Sequence, residues 1–375
     1  MITHGLSSLS EFLGDRVVYR NLDVQDRSLP RLKAIVQKIG LPENRIPRKA
    51  ELAYGQIVAT LLQMTCEIDH PGQSILNLVF IGDTRMNDGT AFVNICKSGK
   101  WNGIAFIASE KDPPENLNRD PGFEFPLYIA NRWSLLNTFE DTCRKHDIEI
   151  STDTAVVFDL DKTSLGARGR NDAAIDNART QAAEDVVREI LGADFDLEVF
   201  SRTYAMFNQV EFHSFTTDNQ DYLVYLCLLA TAGVIDSDRL TEQVRSGSLR
   251  SFEAFANIIQ ARQPEMPVAI KETQADFFLC LQKGDPTPFK AFRRREYINT
   301  VTAMRTPPAF DVEQLNHTIC ITEEVRQFAL FCISRGALLF GLSDKPDEAS
   351  LPGEELAMQG YRPLHRTPML SVSLK

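Results

Sequence analysis

Apolar residues in the first part of the chain fall into two patterns. Short unbroken runs at Val17-Val18-Tyr19, Leu76 to Ile81 and Ile104 to Ala108 predict strands, the longer two buried on both faces. Between them, Ser28 to Ile39 and Ala50 to Glu67 place apolar residues at helical spacing, and a further helix should run into Cys96. This strand–helix alternation predicts an α/β fold, a doubly wound parallel sheet covered on both faces. Lys111 to Asn116 reads as a loop.

The pattern changes after about residue 165. Val186 to Leu191, Tyr222 to Ala232, Leu249 to Ala261 and Glu272 to Leu281 have helical periodicity, and continuous strand patterns are scarce. Glu323 to Ser334 again reads as a helix, Ala337 to Gly341 as a short buried strand, and the tail from Gly360 as loop. The expected division is a first core segment at 1–163, a mostly helical insertion at 164–320 and a second core segment at 321–375.

A chain of 375 residues has room for about two to three domains. Its net charge of -11 repels nucleic acid and anionic membranes, so neither is an expected partner. The seven cysteines form no CxxC pair, which favours reduced thiols over disulfides or structural zinc. No apolar stretch approaches the roughly 18 residues of a membrane span. The first residues lack a basic segment followed by an apolar run. A cytoplasmic protein is expected.

Candidate chemistry concentrates where apolar runs end. AlaValValPheAspLeuAspLysThr, residues 155–163, puts Asp159 and Asp161 just past a strand, where open α/β sheets bind ligands. Two such carboxylates suit a hard cation such as Mg²⁺. One can attack phosphorus while the other moves protons. A strand-end turn with two solvated aspartates is the plain alternative. A calcium loop fits poorly, because Ser164 stands where glycine is needed and Arg170 where the bidentate glutamate belongs. A second run, LeuAsnLeuValPheIleGlyAspThrArgMetAsnAspGly at 76–89, also ends in carboxylates, Asp83 and Asp88. ArgLysAlaGlu at 48–51 precedes it, and AlaLeuLeuPheGlyLeuSerAspLysPro at 337–346 ends a strand in Ser343.

These four segments resemble the motifs of the haloacid dehalogenase-like (HAD) superfamily. Residues 155–163 resemble its first motif, 337–346 the second, 48–51 the third and 82–88 the fourth. The resemblance implies a Rossmann-like core and a Mg²⁺-dependent phosphatase acting on a small phosphorylated substrate. By that likeness Asp159 is the nucleophile and Asp161 the acid and base. Lys49, Ser343 and, in support, Thr163 hold the phosphoryl oxygens. Asp159, Asp83, Asp88 and the backbone carbonyl of Asp161 hold the metal. A dehalogenase normally lacks the fourth-motif acids, so Asp83 and Asp88 favour phosphoryl chemistry.

Family order runs from first to fourth, whereas this chain runs third, fourth, first, second. The cyclic order is intact, as a circular permutation would leave it; two tandem degenerate domains are the competing layout. In the family the strands of the first and fourth motifs are neighbours. The helical insertion sits where members carry a cap. Arg168, Arg170, Arg48 and the run Lys290 to Tyr297 are candidate substrate contacts, since arginine pairs well with phosphate. For Arg293 to Arg295 a solvated basic helix face is equally expected, and His213 and His365 stay open between site and core. A phosphomutase, or a non-catalytic binding or regulatory protein on the same core, are the alternative functions.

Overall fold

The computed structural model describes residues 1–42, 45–305 and 312–374. Strands in chain order are β1 (Ile2–Ser7), β2 (Val17–Val18), β3 (Asn77–Gly82), β4 (Asn102–Ala108) and β5 (Leu117–Arg119). They continue with β6 (Leu127–Ala130), β7 (Thr154–Asp159), β8 (Ile321–Thr322), β9 (Leu338–Leu342) and β10 (Met369–Ser373). The main sheet has seven strands in the order β2-β9-β7-β3-β4-β6-β5. All neighbours are parallel except the edge pair β5 and β6.

Both faces of the central strands are covered, which is why β3 and β7 are apolar almost throughout. Leu78 and Phe80 of β3, Ala155 and Val157 of β7, and Phe340 of β9 share one core with Tyr54, Ile57 and Leu61 of the helix Leu52–Asp69. On the opposite face, Phe158 meets Phe328 with ring centroids 6.5 Å apart, and Phe328 meets Phe139 at 6.4 Å. Side chains alternate along a strand, so Asp159 extends the row of Ala155 and Val157. Its carboxylate therefore emerges on the face covered by the helix Leu52–Asp69.

The chain divides into two compact units, residues 1–177 with 300–375, and residues 178–299. The second unit is helical throughout its described regular structure, around a core that includes Phe200, Leu226, Phe252 and Phe277. It is narrower than the 164–320 stretch expected from the pattern. The rest of that stretch belongs to the sheet unit and is bonded within it: Gly166 N–H donates to the Cys320 carbonyl at 2.8 Å, and Asn171 Nδ2 to the Thr318 carbonyl at 3.2 Å.

The tail is not all loop. Met369–Ser373 forms β10, which pairs antiparallel with β1 and parallel with β8 in a small second sheet. Among the described residues no helix is long and apolar enough to cross a membrane.

Candidate functional site

β3 and β7 lie side by side in parallel register, with Ile81 opposite Phe158, so the residues after Gly82 and at Asp159 leave the sheet at the same edge. Asp83, Asp88 and Asp159 are thereby brought together. One carboxylate oxygen from each lies within 4.8 Å of the others, and all three residues are buried. Gly82 makes the packing possible, because a methyl group there would come within 2.7 Å of Asp88 Oδ2. The loop then folds back on that acid. Asp88 Oδ2 accepts from the N–H of Asp83 at 3.0 Å and from the N–H and hydroxyl of Thr84, each at 2.8 Å.

Lys49 binds the acids from the helix-covered face. It sits in the turn before the helix Leu52–Asp69, with its Nζ 2.5 Å from Asp159 Oδ1 and 2.6 Å from Asp88 Oδ1. Removing one partner of such a buried pair typically costs about 3–5 kcal/mol. Arg168 donates through Nε to Asp83 Oδ2.

Electrostatics follow from this crowding. Burial and the neighbouring Asp88 push Asp83 up to about 7, against the pull of Arg168. Burial also pushes Asp159 well above the usual carboxylate range; Lys49 opposes this, and Asp88 and Asp83 add to it. Asp88 goes the other way: burial would raise it, but Lys49 and the Thr84 donors outweigh that and hold it low. Lys49 stays protonated, since Asp159, Asp88 and Asp344 overcome the cost of its burial.

Among the described residues, the four acids Asp83, Asp88, Asp159 and Asp344 outnumber the cations that act on them, Lys49, Arg168 and, at Asp344, Arg20. A buried, oxygen-only donor set with excess negative charge fits a hard divalent cation.

Asp161 lies one residue pair beyond Asp159 and is half-buried. Its carboxylate stands outside the three-acid cluster and accepts from Ser343 Oγ at 2.6 Å. Ser343 follows β9, the other neighbour of β7, and its Oγ accepts from the Lys345 N–H at 2.9 Å. Its proton is directed at Asp161, so in this geometry Ser343 orients that acid. Thr163 is fully buried, and its hydroxyl has no hydrogen-bond partner among the described residues. Between these positions Lys162 takes a left-handed conformation at φ 62° in a tight turn, closed by the Leu165 N–H donating to the Leu160 carbonyl at 2.8 Å.

The other expected contacts have local partners of their own. Arg170 is a structural residue: its enclosed guanidinium pairs with Glu110 and Glu324, each at 2.8 Å, and donates to the Val372 carbonyl. Arg48 is exposed in the turn, where its N–H donates to Glu51, while its neighbour Lys49 enters the site. Arg293 is buried in the helical unit between Asp221 and Glu296, which rules out a solvated face at that position. His365 is buried, bonded through Nδ1 to the Tyr19 hydroxyl and through Nε2 to Asp15. His213 is partly exposed, 3.7 Å from Asp218.

Two site residues were not singled out by the sequence pattern, Asp344 inside the 337–346 segment and Tyr54 outside all four segments. Asp344 is exposed to solvent, yet the protein packed around it raises its pKa against the pull of Lys49 and Arg20. Tyr54 is buried beside Lys49, five positions further along the chain. Their signals were local: Asp344 directly follows Ser343, and Tyr54 lies in the first turn of the helix that Lys49 precedes. No protein-family model, curated protein or solved structure matches the chain.

Proposed function

We propose that this chain is a Mg²⁺-dependent phosphohydrolase of the HAD-like kind, with its motifs in circularly permuted order, acting on a small phosphorylated substrate. The observation that carries the reading is the convergence of Asp83, Asp88 and Asp159 within 4.8 Å, with Lys49 bridging two of them. These residues come from separate stretches of the chain, and their meeting is what the motif resemblance requires. The sheet order supports it too, since the strand carrying Asp159 lies between those that lead to Asp83 and Ser343.

Asp159 Oδ attacks phosphorus in line, the bond to the leaving oxygen breaks, and an aspartyl-phosphate forms. Asp161, held by Ser343, gives its proton to the leaving oxygen. It then takes one from the water that hydrolyses the acyl-phosphate. Lys49 keeps positive charge beside the phosphoryl oxygens throughout. Asp83 and Asp159 are the acids placed to hold a divalent cation, with Asp88 bracing the loop and Lys49. When bound, that cation offsets negative charge on the transferring group.

Hydrolysis of a generic aryl phosphate tests the reading. Activity should require Mg²⁺ and be lost in Asp159→Asn with the fold retained. An Asp159→Asn variant with full activity would rule the mechanism out.

A further inference from the structure

Thr163 is not alone in having a partnerless buried hydroxyl near the site among the described residues; Tyr54 has one too. Tyr54 is only 1% exposed, and its ring packs in the core with Phe80, Phe340 and Leu342. Its hydroxyl has no hydrogen-bond partner among the described residues. It lies within electrostatic reach of Lys49, Asp344, Asp159 and Asp88. Buried hydroxyls are nearly always hydrogen-bonded, so a partnerless one among these charges points to an acceptor that arrives with a ligand.

None of the nearby carboxylates among the described residues, Asp344 included, bonds the hydroxyl. Asp159 Oδ1 and Asp88 Oδ1 are turned to Lys49, and Asp88 Oδ2 is taken up by its own loop. Burial, reinforced by Asp344, Asp159 and Asp88 against Lys49, keeps the group a neutral O–H. It therefore offers a proton to an anion without adding charge. A tetrahedral oxyanion at Asp159 has three oxygens to satisfy, and Lys49 is already on that face.

We propose that Tyr54 is a substrate-binding residue whose hydroxyl donates a hydrogen bond to a phosphoryl oxygen of the substrate, beside Lys49. This rests on the phosphohydrolase reading and adds to it a contact outside the four motif-like segments. Built this way, the free protein keeps an unsatisfied group that the substrate satisfies.

The test compares wild type with Tyr54→Phe, using orthovanadate with Mg²⁺ as the probe. Vanadate affinity is measured by calorimetry, kcat/KM with an aryl phosphate, and Tm without vanadate. A hydrogen bond to a charged acceptor predicts a loss of about 10- to 100-fold in vanadate affinity and in kcat/KM. The Tm should be unchanged or higher, because an unsatisfied buried hydroxyl has been removed. Unchanged vanadate affinity, with or without a lower Tm, overturns the proposal and leaves the phosphohydrolase reading in place. A wild-type protein that binds no vanadate and hydrolyses nothing overturns that reading itself, whatever the variant does.

Discussion

Lys49 holds together two carboxylates that would otherwise repel at close range, and the balance around it is incomplete. Asp83, Asp159 and Asp344 all have raised pKa values, burial being the first cause in each. Between about pH 4 and the value of about 7 for Asp83, the folded chain keeps protons that the unfolded chain has released. That part of the stability is present at low pH and lost as pH rises through the window. Asp88, held low, has the opposite sign: its contribution is present above its unfolded pKa and lost in acid. A cation bound there, as proposed, would take the place of the protons on the raised acids and so bind more tightly as pH rises. Thermal unfolding should therefore show Mg²⁺ raising Tm more at pH 8 than at pH 6. An increment as large at pH 6 would contradict this charge assignment.

Among the elements, those with long, strongly patterned stretches were the legible ones. Glu323–Ser334 is a helix over the residues that its spacing marks, and β3 and β7 sit where unbroken apolar runs end in aspartates. The short edge elements were not legible. β5 has three residues, and β1 is largely exposed, so neither carries a two-sided apolar pattern. β10 is apolar but short, and only its partners β1 and β8 make it a strand. The same logic separates Lys49 from Arg170. Lys49 stands at a readable distance before a readable strand. The role of Arg170 depends on Glu110 and Glu324, which arrive from distant segments that no local spacing announces. Tyr54 was hidden for a related reason, because a hydroxyl without a partner is a fact about the space around it.

At the scale of the whole molecule, the proposed permuted reading requires that the site depend on which strands are neighbours, the order in which the chain visits them being secondary. Ile2 of β1 pairs with Ser373 of β10, so the ends of these strands lie together. Joining the termini by a short linker and opening the chain after Asp147, in an exposed turn, restores the order first, second, third, fourth. That permutant should fold and hydrolyse aryl phosphate with Mg²⁺. A folded permutant without activity, beside an active parent, would show that the native order matters to the site.

The central claim is that acids from two neighbouring strand ends share one divalent ion, and calorimetric titration with Mg²⁺ at pH 8 tests it most directly. The wild-type chain should bind one ion, and Asp83→Asn and Asp159→Asn should each lose most of that affinity while staying folded. A wild-type chain that takes up no ion, or either variant binding as tightly as wild type, would contradict it.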